Sequence, residues 1–342
     1  MAERMDKGVK SFDLKELILN GGIYFVLILL LILIVIKDPT FLRLINIQNI
    51  LTQSSVRIII ALGVAGIIVT QGTDLSVGRQ VGMAALLSAT LLQAVTNPNK
   101  VFKTLGVLPI PVVILIIVVL GAIFGLVNGL IVAKLDVVPF VTTMGTMVIV
   151  YGINSLYFDY VGASPVAGFD KRYSEVAQGA LFQFGQLRLS YLIIYAVIAI
   201  VFMWILWNKT VFGKNLFAVG GNPEAARVSG VNVAKTLILV YVLSGIMYAL
   251  GGFLEAARIG SATNNLGFMY EMDAIAACVV GGVSFNGGVG KISGVVAGVI
   301  IFTLINYGLT YISVSPYWQY IIKGIIIITA VAIDVLKYRK NK

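Results

Sequence analysis

About ten long apolar stretches follow one another along this chain and leave little else to fold: 22–36, 50–70, 77–95, 110–133, 138–158, 190–207, 236–257, 271–284, 292–312 and 317–336. Crossing a bilayer takes about 20 apolar residues in a helix, because no water is present to satisfy a bare backbone. With 59% hydrophobic and 12% charged residues, a soluble domain of 342 residues could not cover its apolar surface. The expected fold is therefore an all-α integral membrane protein, a polytopic bundle of about ten transmembrane or re-entrant segments. No intervening segment is long enough for a separate soluble domain, so residues 1–342 read as one transmembrane domain.

The formal charge of +10 does not indicate nucleic acid, because the excess basic residues sit at the two ends and in the segment 208–235. An even number of spans puts both termini on one side, and the Lys and Arg excess makes that side the cytoplasm. Arg4, Lys7, Lys10 and Lys15 then belong to a cytoplasmic segment, 1–21, ahead of an uncleaved first span. The 208–235 segment also faces the cytoplasm, and the loop from Asp159 to Leu189 faces outward. The chain has no histidine, which removes the commonest metal ligand and proton relay. Its one cysteine, Cys278, lies in an apolar run and is expected to pack as a small hydrophobe.

Glycines recur every fourth residue at Gly121/Gly125/Gly129 and Gly290/Gly294/Gly298, the spacing that lets two helix backbones approach closely. Two other glycine-rich segments interrupt apolar stretches: Gly72-Thr73-Asp74-Leu75-Ser76-Val77-Gly78 and Gly282-Val283-Ser284-Phe285-Asn286-Gly287-Gly288. Their similarity suggests a weak internal duplication, and such breaks mark unwound backbone near a transport pathway.

Gly287-Gly288-Val289-Gly290-Lys291 superficially suggests a phosphate-binding loop. The leading glycine and trailing Ser or Thr are missing, with Phe285 and Ile292 in their places. Gly213-Lys214 fails likewise, so the chain is expected to bind no cofactor and to hydrolyse no nucleotide itself. No nucleophile with its base, metal cluster or catalytic carboxylate pair emerges, which argues against an enzyme. Ionisable residues in or near spans are Arg57, Asp74, Arg79, Glu255, Glu271, Asp273 and Lys323, each needing a partner or water. Asp74 and Arg79 are near enough to pair, and Glu271 and Asp273 suit a helix start. Hydroxyls and amides that glue helices or pass a polar solute are Gln53, Ser54, Ser55, Asn128, Thr142, Thr143, Thr146, Asn154, Asn264, Asn265 and Asn306. Tyr307, Tyr311, Tyr317, Trp318 and Tyr320 sit at span ends as interfacial anchors.

The segment from Asn208 to Lys235 is polar and glycine-punctuated between two spans. Phe212 to Gly221 reads as a turn. Asn222 then reads as a helix N-cap, with Pro223 at the first helical position, Glu224 by the positive helix end and Gly230 as the stop. A short capped helix outside the membrane is either a connector or a docking element for a soluble partner.

Four ordered motifs carry a resemblance. They are Asn49-Ile50-Leu51 through Gly72 to Gly78; Asn128-Gly129-Leu130-Ile131-Val132-Ala133-Lys134; Pro139-Phe140-Val141-Thr142-Thr143-Met144-Gly145-Thr146; and Ala218-Val219-Gly220-Gly221-Asn222 through Gly230. With them the chain resembles, over nearly its whole length, the permeases of bacterial sugar ABC importers of the ribose/galactose type. Thr73, where the ribose motif usually has isoleucine, and Arg79 point to the galactoside branch, as do the runs Ser54 to Gly66 and Gly260 to Tyr270. The resemblance implies a multi-pass protein of the bacterial inner membrane that imports galactose or methyl-galactoside, with glucose a further candidate. It implies a second copy of the chain in a homodimer within membrane lipid, a separate ABC ATPase subunit carrying ATP-Mg, and an external sugar-binding protein. It assigns ATPase coupling to Gly213, Gly220, Gly221, Asn222, Glu224, Ala225, Ala226 and Gly230. The pathway or gate candidates are Asp74, Ser76, Arg79, Asn128, Thr142, Thr143, Asn154, Asn264 and Asn265. An ion-coupled secondary sugar transporter is the alternative, but the carboxylates offer weak material for its ion site.

Overall fold

The computed structural model describes residues 27–340 except 186. Arg4, Lys7, Lys10, Lys15, the whole of 1–21 and the start of the first apolar stretch lie outside the described residues. All ten apolar stretches contribute helix. In order these are α1 (Leu27–Lys37), α2 (Leu44–Val69), α3 (Val77–Leu91), α4 (Ile110–Lys134), α5 (Pro139–Tyr160), α6 (Lys171–Gln178), α7 (Tyr191–Lys209), α8 (Val211–Gly221), α9 (Pro223–Val228), α10 (Val233–Ile259), α11 (Tyr270–Val280), α12 (Ile292–Tyr311) and α13 (Pro316–Lys340). Among the described residues, seven helices are long and apolar enough to cross a membrane: α2, α4, α5, α7, α10, α12 and α13. The chain is thus a predominantly helical, polytopic membrane protein.

Helix starts follow local chemistry. Proline occupies the first turn of α4, α5 and α9, where its missing N–H has no partner to lose. Side chains of Ser190, Thr210 and Asn232 accept hydrogen bonds from the first-turn amides of α7, α8 and α10. Gly260 ends α10 at φ +83°, a left-handed position suited to glycine.

The centre of the bundle is α2, with α10 beside it; 83% of the best α2 window is buried, against 22% for α4 and α7. The exposed faces of the outer helices, with Leu115, Ile198 and Ile328, are apolar, as a lipid-facing surface requires. Gly121, Gly125 and Gly129 press α4 onto α10: a Cβ on the first would overlap the Gly245 carbonyl, and one on the second the Tyr241 carbonyl. In the second glycine run, Gly294 and Gly298 similarly press on Gly281 and Ala277, whereas Gly290 precedes α12 and meets the side chains of Val69 and Val283.

Two helices within the bundle, α3 and α11, are too short to cross. At 1.5 Å per residue, the 15 residues of α3 and 11 of α11 span about 22 and 16 Å of a roughly 30 Å hydrocarbon core. Their first turns meet: a Cβ on Gly78 would overlap the Gly267 carbonyl and the Glu271 carboxylate. Arg57, half-way along α2, reaches Asp273 in the first turn of α11, so α11 begins level with the middle of α2. The break at 70–76 separates long α2 from short α3, but the break at 281–291 separates short α11 from long α12. The two similar breaks therefore stand in opposite chain order, unlike the same-order copies a simple tandem duplication gives.

The fold also departs from all-α. The loop from Asp159 to Leu189 is structured, with β1 (Val166–Ala167) pairing β4 (Ser261–Ala262) and β2 (Ala180–Phe184) forming a hairpin with β3 (Leu187–Ser190). Tyr173 on α6 anchors it, its buried hydroxyl donating to the Phe253 carbonyl at 2.7 Å. Alternating apolar and polar residues in such short runs give too weak a signal to separate strand from loop. Cys278 packs in the apolar core as expected, its thiol facing the Ala61 carbonyl at 3.4 Å.

Candidate coupling loop and translocation site

The loop between α7 and α10 is two helices, not a turn and a helix. Val211 to Gly221 form α8, because Thr210 caps the amide of Gly213 at 3.2 Å and Val211, Phe212, Leu216, Phe217 and Val219 give it an apolar side. Its three glycines suggest a turn, but two of them serve close approach. A Cβ on Gly213 would overlap the Trp207 carbonyl, and one on Gly220 the Val69 carbonyl. The α9 helix matches its sequence reading: Asn222 accepts from the amide of Ala225 at 3.0 Å, Pro223 opens it, and Gly230 follows at φ +82°. Of its residues only Ala226 is buried. Glu224 and Ala225 are exposed, and Val228 is 90% exposed. An apolar side chain so bare on a six-residue helix is a feature that sequence reasoning missed.

The end of α8 is wedged between the two breaks. The amide of Gly288 donates to the Val69 carbonyl at 2.9 Å, and Gly220 and Gly221 pack on Gly287 and Gly288. Gln71, held at φ +61°, donates its amide N–H to the carbonyls of Gly220 at 2.8 Å and Asn286 at 3.1 Å. One side chain thus bridges the end of α2, the α8–α9 joint and the second break. Nothing in the sequence singles out Gln71, since its partners are backbone atoms remote in the chain.

Most pathway candidates gather around α3. The Asp74 carboxylate accepts from the Ser76 amide at 2.8 Å and its hydroxyl at 2.5 Å. The side-chain amides of Gln80 and Asn128 donate to the same hydroxyl oxygen at 2.8 and 3.3 Å, and Thr146 donates to Asn128 at 2.5 Å. Thr143 receives the Leu75 amide at 3.1 Å, and Asn154 donates to the Asn264 carbonyl at 3.3 Å. Thr142 is buried on the same helix as Thr143. Ser76, Asn128, Thr143 and Asn154 are at most 1% exposed, so they hold helices together in this state and do not line an open passage.

The ion pair expected between Asp74 and Arg79 is not formed. Asp74 turns inward to brace its own break, while Arg79 lies on another face of α3, its guanidinium 4.2 Å from the Tyr151 ring centre and 3.4 Å from the side-chain oxygen of Asn265. Charge is neutralised elsewhere. Asp273 sits between Arg57 and Lys323, each at 2.8 Å. Glu255 takes both arms of Arg258 at 2.9 Å and the Tyr270 hydroxyl at 2.6 Å, and Arg57 stacks 3.7 Å over that tyrosine ring. Glu271 and Asp273 do fall in the first turn of α11, as expected, but Asp273 also ties three helices. An unpaired charge at this depth costs about 2.5–3.5 kcal/mol on insertion scales, which explains why each has a counter-charge, a ring or an amide. Tyr307 and Tyr311 are also more than anchors: Tyr307 donates to Asn46 at 2.9 Å, and Tyr311 shares a 2.7 Å hydrogen bond with Thr40.

Residues 46–331 match the family described as branched-chain amino acid transport system / permease component. The chain belongs to this permease family. It is 69% identical to the galactose/methyl galactoside import permease protein of Escherichia coli K12, over 94% of this chain and 96% of that protein. The corresponding protein of Haemophilus influenzae is 66% identical, over 97% and 98%. The ribose import permease protein of Bacillus subtilis is 36% identical, over 92% of each chain. No solved structure gives a significant match. The permease is therefore a transport component, similar along nearly its whole length to sugar import permeases.

Proposed function

We propose that this permease forms the membrane passage of a binding-protein-dependent ABC importer for galactose and methyl galactoside, with glucose a further candidate. The observation that carries the ATP-driven reading is the exposed α9 helix, whose base is wedged between two breaks in the bundle. A separate ABC ATPase holding ATP-Mg grips α9 through Glu224, Ala225 and Val228. Gly213, Gly220, Gly221, Asn222, Ala226 and Gly230 give that helix its shape. ATP binding displaces α9, and the displacement reaches both breaks through Gly220 and Gln71. A change of shape follows because the two states of the permease offer the ATPase different contacts. Two copies of the chain act together in the bacterial inner membrane with both termini cytoplasmic, and an external binding protein delivers sugar.

The polar band of Asp74, Ser76, Asn128, Thr142, Thr143 and Asn154 is the part that rearranges. Arg79, Asn264 and Asn265 stand at its edge as the gate. Three carboxylates open to the ion-coupled alternative are engaged: Asp273 and Glu255 by cations, Asp74 by Ser76. Co-purification of the permease with its ATPase tests the proposal. Sugar with binding protein is expected to stimulate hydrolysis, and Glu224→Ala or an inserted residue after Ala225 to uncouple it from uptake. Unchanged sugar-stimulated hydrolysis and uptake in both variants would refute the coupling assignment, and uptake driven by an ion gradient without the ATPase would establish the alternative.

A further inference from the structure

The side of the molecule opposite α8–α9 contains a polar groove separate from the coupling loop and from the polar band around α3. On α2, Gln48, Asn49, Thr52, Gln53 and Arg57 recur at helical spacing and fall on one face. On α12, which packs against α2, Thr303, Asn306, Tyr307 and Thr310 do the same. The stripes are joined where the Asn49 side-chain amide donates to the Tyr307 hydroxyl at 3.1 Å. Amides and hydroxyls set along two membrane helices are costly against hydrocarbon, so such stripes face protein or water.

The groove has two compartments. The outer is a cleft of about 430 Å³ whose lining includes Gln48, Asn49, Thr52, Gln178 and Arg258, and this lies within the roughly 300–1,000 Å³ of small-molecule sites. The inner, about 40 Å³ beside Arg57, Asp273, Thr303 and Asn306, has room for only a few waters at about 10–15 Å³ each. Gln53 lines both.

We propose that the outer cleft is a hexose-binding subsite within each protomer, and that the Arg57–Asp273–Lys323 cluster is its closed floor. The lining is mostly neutral amide and hydroxyl, its two cations being Arg188, which donates to the Gln178 carbonyl, and Arg258, which is paired with Glu255, and it fits a neutral polyol. Side-chain amides donate and accept at once, as sugar hydroxyls do, and Tyr307 adds a ring edge. The nearby carboxylates are already neutralised, Asp273 by two cations and Glu255 by Arg258, so the cleft offers no free anion to attract a metal or an amine. The continuation of the groove past Gln53 toward the middle of α2 favours a small solute over a protein loop. This subsite rests on the sugar-import reading, and it adds a place where the cargo waits before the floor opens.

The permease, expressed with its ATPase chain in sealed membrane vesicles with the outer face exposed, allows a direct test. Cys278 is buried, so Gln53→Cys and, on the facing helix, Asn306→Cys can each be followed with a membrane-impermeant maleimide. Galactose at millimolar concentration, without ATP, is expected to slow labelling at least threefold, and ribose to leave the rate unchanged. Ile205→Cys, on the exposed apolar face of α7, serves as the unlabelled control. If one groove variant fails to assemble, the other gives the same measurement. Failure of the reagent to reach either cysteine, a rate indifferent to galactose, or equal slowing by ribose overturns the subsite. Galactose uptake by the unmodified permease is measured in the same vesicles after loading them with ATP-Mg and adding the sugar-binding protein outside. Uptake combined with indifferent labelling overturns the subsite alone, whereas absence of both uptake and protection overturns the import reading with it.

Discussion

The two ends of the bundle are built on opposite plans. On the α8–α9 side, backbone meets backbone: Gly220 lies against the Val69 carbonyl, Gly287 and Gly288 against Gly220 and Gly221, and one glutamine crosses the seam. On the other side, long polar side chains stand apart around a cleft of about 430 Å³. Contacts without slack transmit displacement, because packed atoms cannot absorb it. Contacts with slack admit a solute. On the proposed reading, the contrast separates the part of the molecule that is pushed from the part that is filled.

The largest expected effect comes from removing the fit at the tight end. Gly220→Ala puts a methyl group into the Val69 carbonyl, and the rigid neighbours are backbone, so sugar uptake in cells should be abolished. If uptake survives, the seam is looser than described and the contrast fails. Next is Asp273→Asn, which leaves Arg57 and Lys323 without their shared carboxylate. Breaking a buried ion pair costs about 3–5 kcal/mol, and a clear drop in melting temperature is expected by fluorescence-detected size exclusion. Gln71→Leu removes two hydrogen bonds worth about 1 kcal/mol each and should leave the fold and basal ATP hydrolysis intact while uptake per ATP falls several-fold. Uptake and hydrolysis falling together would assign Gln71 to stability alone. The smallest effect is Arg227→Ala: its pair with Glu224 at 3.4 Å is exposed on both sides, so melting should shift by less than about 0.5 kcal/mol equivalent.

Much of this was legible in the sequence because membrane helices are specified by length and composition. All ten apolar stretches contain helix, and α9 begins at its asparagine cap and stops before its glycine. Hydropathy could not show that α3 and α11 meet by their first turns, because that depends on how a loop from Thr263 to Met269 folds against Gly78. The α8 helix was read as a turn because glycine weighs against helix locally, and only its neighbours reveal that the missing side chains are required. Among ionisable groups, sequence distance suggested Asp74 with Arg79. Two of the actual pairs join Arg57 to Asp273 and Lys323 to Asp273 across separate helices, while Glu255 and Arg258 pair one turn apart on α10. Gln53 and Asn306 were visible as polar residues in spans, but their facing across one groove follows from the packing of α2 on α12.

The glycine seam between α4 and α10 has a consequence for movement. With Gly121 against Gly245 and Gly125 against Tyr241, neither helix can slide or roll past the other without steric collision. The pair must therefore travel as a single beam, and α9, only a short link of residues before α10, sits at the handle of it. The half-length α3 rides on the same beam, since a Cβ on Gly252 of α10 would overlap the Val81 carbonyl, and α11 is held to α12 in the same way where Gly294 meets the Gly281 carbonyl.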